Sequence, residues 1–198
     1  MKPKKVPATR LDYRMVALQA QAFVAFAKPT IDSLRTTNEE AARRAVAELP
    51  VVACAATLLA LGLELHLKAI HIGGKREPPA THSLLRLFES LPAAERHDID
   101  GRYSAKIAAV DPAHALSLVI QIRESTDPQK DWPEDQEFVA PDYSVRALLT
   151  RSANAFVAWR YFYESVPDNK RISEKVLDHV PMFMFWESLD DFIRANAR

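Results

Sequence analysis

The sequence predicts an all-α protein, an up-and-down helical bundle that forms a single domain over residues 1–198. Three observations lead to this prediction. Glycine is scarce, with four residues in 198; the 13 prolines fall mostly between periodic segments; and apolar side chains recur at helical spacing. Hydrophobic residues make up 48% of the chain, which is enough for a sizeable core.

The first predicted helix begins at Leu11, runs to about Ala27 and ends at Pro29. It carries one apolar face, formed by Leu11, Met15, Leu18, Ala22 and Phe26. Residues 1–9 form a basic tail, and no apolar stretch of the kind found in signal peptides follows it.

The next helical region begins near Asn38, and Pro50 is expected to kink or break it. From Val51 to Glu64 the chain is apolar on every side of a helix, which is typical of a segment at the centre of a bundle. This run is shorter than the roughly 20 apolar residues that cross a bilayer. The helix is expected to stop at Gly73.

The composition predicts a soluble, cytoplasmic protein with no membrane partner. The single cysteine, Cys54, cannot form an internal disulfide, which fits a reducing compartment. Its apolar neighbours predict a buried, unreactive thiol. The 26 basic and 26 acidic residues balance, so nucleic acid could bind only through a local patch.

Shorter elements are predicted after the glycine pair. Thr81 is the expected N-cap of a helix over Ser83–Ser90, and Pro92 suits the first turn of the following helix. Residues 124–142 contain seven acidic residues, one lysine and three prolines. They are expected to form an exposed acidic loop.

The C-terminal part is predicted to be helical. A strongly periodic helix is expected over Tyr143–Glu164, ended by Pro167. The last segment, Ile172–Ile193, is also expected to be helical, with Pro181 as its break. No strand pair is expected.

No metal and no cofactor are expected. His66 and His71 are five positions apart, so on a helix they point about 140° away from each other and cannot share a metal. His66 is expected to be a hydrogen-bonded core histidine. The segment Gly73-Gly74-Lys75-Arg76 lacks the upstream glycine of a phosphate-binding loop, and a helix C-cap accounts for both glycines.

Arg160 lies at the border of an apolar stripe on the predicted helix Tyr143–Glu164. A guanidinium in such a position needs a partner, which leaves two interpretations open. Arg160 either forms a structural ion pair with Glu164, one turn later, or faces a cleft or dimer interface and binds phosphate. The Lys75-Arg76 loop and the basic tail are further candidates for ligand contacts.

Three segments, in this order, resemble the HEPN superfamily of small helical bundles found in prokaryotic defence and toxin–antitoxin systems. Ala60–Ile70 is similar to the second-helix pattern, in which a glutamate precedes a Leu-Lys-Ala step. Thr81–Phe88 is similar to the His-x-Leu-x-x-Leu start of the third helix. Phe156–Glu164 is similar to the Arg-Tyr-x-x-Glu pattern of some branches, so that the resemblance covers roughly residues 50–165.

The resemblance implies a bundle that is commonly a homodimer and handles RNA or a nucleotide between its protomers. Active members resemble metal-independent ribonucleases in which four to six residues separate an arginine from a histidine. Arg160 has no such histidine, because the positions concerned are Ser165, Val166 and Pro167. Arg76 and His82 fit the spacing formally, with five residues between them.

The implied function is therefore a non-catalytic HEPN-like module that binds RNA, a nucleotide or a protein partner. Its candidate binding residues are Arg160, Glu164, Lys75 and Arg76. One alternative is a metal-independent endoribonuclease that uses Arg160 or Arg76 with His82. Another alternative is a protein-interaction scaffold without a nucleic-acid role.

Overall fold

The computed structural model describes residues 12–33, 49–110, 118–123, 142–153 and 172–196. Helices dominate these ranges and supply nearly all of the buried side chains, so the predicted all-α helical bundle is confirmed. In chain order the elements are α1 (Tyr13–Ser33), α2 (Leu49–Gly73), α3 (Leu84–Glu89), α4 (Ala93–Ala108), β1 (Leu118–Arg123), α5 (Val145–Arg151), β2 (Ile172–Leu177) and α6 (His179–Asn196).

The apolar helix α2 lies at the centre of the bundle, where it packs against α1, α3 and α6. From Pro50 to Gly73 it is long and apolar enough to cross a membrane by length and composition, but 61% of its most apolar window is buried inside the protein. A helix that lies in a protein core shows burial of this kind. Pro50 is its second residue, in the first turn, where the missing N–H has no helical partner to lose.

α1 runs antiparallel to α2 at very short range. A Cβ added to Gly62 would lie 2.5 Å from Val24 Cγ2 and 3.2 Å from the carbonyl oxygen of Ala20, and one added to Gly73 would contact the ring of Tyr13. Such a close approach leaves room only for small or slender side chains. α1 therefore buries the face formed by Ala17, Ala20, Val24, Ala27 and Ile31.

The apolar face that the sequence marks on α1 points in the opposite direction, into solvent. Phe26 is 77% exposed, Met15 63% and Leu18 56%, and Ala22 is also exposed. The larger side chains lie outside because the glycine-lined surface of α2 admits only the small-residue face. Leu11, the first residue assigned to this face, lies outside the described residues.

Two further expectations about this helix pair are wrong. α1 does not end at Pro29 but continues to Ser33, because Ile31 packs into the core beyond the proline. Cys54 is not buried but exposed. It shares the outer side of α2 with the exposed Val51, away from the core.

α2 ends in a Schellman motif. The amide of Arg76 donates to the carbonyl of His71, and the amide of Lys75 donates to the carbonyl of Ile72. Lys75 is the left-handed residue of this motif, with φ of 58°, whereas neither glycine has a positive φ. The predicted C-cap is therefore present, but the strained backbone position is Lys75 rather than Gly73 or Gly74.

Lys75→Gly is expected to raise the free energy of unfolding by about 1 kcal/mol, because glycine adopts the left-handed conformation without the steric cost that a Cβ brings. Urea denaturation measures the effect. The control is Lys75→Ala, which removes the same charge but keeps the Cβ and should bring no gain. An equal gain in the free energy of unfolding in both variants would show that removal of the lysine side chain, and not the backbone conformation, causes the effect.

The following turns differ slightly from expectation. Ser83, and not Thr81, is the N-cap of α3, since its side chain accepts from the amide of Arg86. Thr81 supports the same turn by accepting from the amide of Ser83. Pro92 stands directly before α4, as predicted for a proline at a helix start.

The helix predicted over Tyr143–Glu164 is interrupted. α5 ends at Arg151, and Ser152 and Ala153 form a turn. Thr150 and Ser152 are weak helix formers, and the hydroxyl of Thr150 donates to the carbonyl of Arg146 instead of supporting continuation. Residues 154–171 lie outside the described part of the chain.

The prediction of helix over Ile172–Ile193 is correct only for its second part. Ile172–Leu177 forms β2, which pairs antiparallel with β1, with Leu118 opposite Leu177 and Arg123 opposite Ile172. α6 then begins at His179 and contains Pro181 in its first turn, where a proline does not break a helix. The basic tail over residues 1–9 and, apart from Asp142, the acidic loop over residues 124–142 lie outside the described residues.

Candidate functional site

Two of the segments that the sequence singles out, Ala60–Ile70 and Thr81–Phe88, meet at a single buried carboxylate. The Nδ1 atom of His82 lies 3.0 Å and 3.1 Å from the two carboxylate oxygens of Glu64. On the other side, the Nζ atom of Lys68 donates to Glu64 Oε1 at 2.6 Å. We refer to Glu64, Lys68 and His82 together as the Glu64 site.

Local structure explains how the Glu64 site is held. Glu64 and Lys68 are four residues apart on α2, so their side chains lie one above the other. His82 comes from the loop before α3 and directly precedes Ser83, the N-cap. Glu64 is thus fixed by α2, and His82 is fixed by its position directly before α3. The loop after Gly74 connects the two helices.

Burial differs sharply across the Glu64 site. The side chain of Glu64 is only 3% exposed, whereas that of His82 is 65% exposed and that of Lys68 is 23% exposed. A buried carboxylate is unfavourable unless charged or hydrogen-bonding groups compensate it. Since a carboxylate oxygen accepts, the proton on the bound ring nitrogen of His82 points inward and fixes the orientation of the imidazole.

Arg76, a predicted site residue, is engaged elsewhere. Its guanidinium donates two hydrogen bonds to Glu95 on α4, at 3.0 Å and 2.6 Å, in a bidentate arrangement. A third donation, at 3.4 Å, goes to the carbonyl of Ile70 near the end of α2. This geometry makes Arg76 an ionic link between the end of α2 and α4. His82, the other member of the formally spaced Arg76/His82 pair, contacts Glu64.

Lys75 is one of the residues that line an open groove of about 870 Å³. The groove is formed where α1, α2, α4 and α6 end or begin, and its apolar lining includes Ile70, Ile72 and Phe192. Glu95 and Asp98 also line it, but each is bound to an arginine, Glu95 to Arg76 and Asp98 to Arg102. Among the residues that line it, the groove therefore combines a mostly apolar surface with one lysine.

Arg160 and Glu164 lie outside the described residues. Both interpretations of this pair, the structural ion pair and the phosphate site, therefore stay predictions. The structure describes His82, Lys75 and Arg76 among the predicted site residues, and it brings none of these three into a shared contact.

A second polar cluster, which the sequence did not indicate, lies inside the bundle. Asp190 on α6 accepts from Gln21 on α1 at 2.6 Å and from Arg194 at 2.7 Å, and its Oδ1 atom lies 3.6 Å from His66 Nε2. Burial by itself would raise the pKa of Asp190, but His66, Gln21 and Arg194 outweigh burial and lower it.

His66 is a core histidine, as expected. It is fully buried, its Nδ1 atom lies 3.0 Å from the carbonyl oxygen of Gly62, and its ring packs edge-on against Trp186. Because a carbonyl can only accept, Nδ1 donates to Gly62, while the Nε2 atom faces Asp190 from beyond hydrogen-bond distance. The cluster joins α1, α2 and α6 and has the character of a structural tie.

Comparisons with known proteins give no relative: no protein family, no curated protein and no solved structure matches this chain.

Proposed function

We propose that this protein is a HEPN-like module that binds a phosphate-bearing ligand, RNA or a nucleotide, at the Glu64 site without cleaving it. The observation that carries the proposal is the buried Glu64 carboxylate, which holds the ammonium of Lys68 and the imidazole of His82 at the protein surface. We place this activity in the cytoplasm, where the HEPN resemblance implies a defence or toxin–antitoxin setting.

The chemistry of the donors supports a phosphate ligand. An ammonium has three N–H donors, and the Glu64 contact uses one of those of Lys68. Donors that are already oriented lose less conformational entropy on binding than mobile surface lysines do. The chain as a whole has no net charge, so the affinity must arise from such a local arrangement.

The resemblance supports the same position. The glutamate and lysine of the Ala60–Ile70 segment and the histidine of the Thr81–Phe88 segment are the residues that form the Glu64 site. They are separated by up to 18 positions in the chain, so their contact is a property of the fold and not of a local motif. The occupied guanidinium of Arg76 argues against a role for Arg76 in ligand binding.

Fluorescence anisotropy with a labelled single-stranded RNA tests this proposal. Lys68→Ala is expected to weaken binding about 10-fold and to flatten the dependence of log K on log salt, by about 0.7 for each phosphate that the variant no longer neutralises. His82→Ala is also expected to weaken binding, because the buried Glu64 carboxylate loses one of the two groups that compensate it. The control is Arg102→Ala, which removes a charge from an exposed ion pair on α4. Wild-type binding with no salt dependence, or equal weakening in the control, would contradict the proposal and favour a pure interaction scaffold.

A second candidate function, metal-independent RNA cleavage, is favoured by one observation. An exposed imidazole that is oriented by a carboxylate is the arrangement in which histidine acts as a general base. Cleavage of RNA in EDTA by the wild type, abolished in His82→Ala or Arg160→Ala, would replace the binding proposal by this one. Intact RNA in every sample would leave the binding proposal standing.

A further inference from the structure

We propose that the exposed apolar stripe of α1 is a dimer interface, which a second copy of this chain covers in an antiparallel, two-fold arrangement. The stripe consists of Met15, Leu18, Ala22, Phe26 and Pro29. This inference is independent of the phosphate-binding proposal, because no residue of the Glu64 site belongs to α1.

The stripe is one continuous face. At 100° per residue its five members fall within an arc of about 80°, and the arc is centred about 180° from the buried face that packs against α2. Three of its members, Phe26, Met15 and Leu18, expose on the order of 400 Å² of mostly apolar surface, which is as much as the largest patch of a typical monomer. Patches of this size are commonly interaction sites.

The pattern of the stripe is symmetric about Ala22. Leu18 and Phe26 lie four residues before and after it, and Met15 and Pro29 lie seven residues before and after it. If two copies meet with Ala22 on the two-fold axis, Leu18 of each chain faces Phe26 of the other, and Met15 faces Pro29. The small alanine lets the helices approach closely, so the surface is complementary to itself, as a two-fold interface requires.

The charges around the stripe favour protein over lipid as the occupant. From Met15 to Ala27 the helix contains no charged residue on any side, and Lys28, which follows, is paired with Asp32. A helix that lies on a membrane surface carries a basic polar face, but here the opposite face of α1 is buried against α2. Charge depletion at the centre of a patch is characteristic of protein interfaces.

The size of the stripe sets the strength of association. α1 is about 30 Å long, so two such helices packed along their length bury roughly 1,000 Å² in total. This area is at the lower limit for a specific interface. We therefore expect a dimer with a dissociation constant in the micromolar range.

Sedimentation velocity over a concentration series, from low to high micromolar, measures this association. Phe26→Glu and Leu18→Lys are each expected to weaken it about 100-fold, because each places a charge in the apolar contact. The matched control is Val51→Glu, since Val51 is also an exposed apolar residue (51%) but belongs to α2 and lies beyond the C-terminal end of the stripe. It should dimerise like the wild type.

Mixing the Phe26→Glu and Leu18→Lys chains in equal amounts tests the proposed register. In the antiparallel arrangement Glu at position 26 of one chain faces Lys at position 18 of the other, so the mixture should regain most of the wild-type association. All these side chains are exposed in the monomer, and thermal melting is expected to report folded variants. A monomeric wild type, including one that binds phospholipid vesicles instead, or a dimer that Phe26→Glu leaves intact, would overturn the proposal.

Discussion

Gly62→Ala is expected to lower the free energy of unfolding by about 2 kcal/mol and the midpoint of thermal unfolding by about 6 °C. A methyl group at this position would collide with Val24 Cγ2 and press on the carbonyl oxygen of Ala20, and neither atom can move easily. Valine is rigid at χ1, and the carbonyl belongs to the backbone of α1. The separation of α1 and α2 would have to increase.

The matched control is Gly101→Ala. Gly101 lies within α4, and an added Cβ would meet no atom within 4 Å. Here the higher helix propensity of alanine should act alone and raise the free energy of unfolding by about 1 kcal/mol. The two substitutions are chemically identical. A lower free energy of unfolding for Gly62→Ala and a higher one for Gly101→Ala would therefore show that the close approach of α1 and α2 causes the loss. Stabilisation by both would contradict the packing described for this helix pair.

Asp190→Asn is expected to lower the free energy of unfolding at neutral pH by about 2 kcal/mol, because it weakens a buried carboxylate contact with His66, Gln21 and Arg194. Asp191→Asn is the matched control. Asp191 lies next in the chain, but its partner Lys106 is at the surface, so its loss should change stability by less than about 0.5 kcal/mol. Chemical denaturation at several pH values measures both effects.

The effect of Asp190→Asn should depend on pH in one direction. The pKa of Asp190 is lower in the folded than in the unfolded state, so its contribution is present above the unfolded value of about 3.9. The contribution is lost as the pH falls through the folded pKa. The difference between wild type and variant should therefore shrink below about pH 4, and a difference that persists in strong acid would refute this account.

The central helix was predictable because its signals are local. Its apolar run from Val51 lies within the observed helix, and the glycine pair at its end marks the C-cap. The predicted start near Asn38 lies outside the described residues. Pro92 also appears where the chemistry of proline places it, at a helix start. Pro50, which the sequence marks as a kink or break, is the second residue of α2.

The orientation of α1 was not predictable from its own sequence. Its larger apolar residues suggest a core-facing side, but the neighbouring helix decides which side is buried. Gly62 creates a shallow surface that only the alanine face of α1 can approach. Cys54 is a second example. Its neighbours in the chain are apolar, but they do not determine which side of α2 packs against other helices, and Cys54 is exposed.

Contacts between distant segments are the part that sequence patterns do not reveal. The sequence predicts helix where β2 lies, because its partner β1 stands some 50 positions earlier, although the β-branched residues Val119, Ile120 and Ile122 are a usable strand signal. The contact between Glu64 and His82 likewise has no signature at fixed spacing. Only the resemblance draws attention to both segments, and it does not indicate that they touch.

Glu64 and His66 stand two residues apart on α2 and therefore point to nearly opposite sides of the helix. One reaches the surface histidine and the other the interior aspartate, so α2 cannot rotate about its axis to accommodate a ligand without disturbing Asp190. For the ligand that we propose at the Glu64 site, we therefore expect rearrangement among the described residues in the segment between Gly74 and Ser83. Amide hydrogen exchange should change in that segment, while the amides of α2 keep their protection.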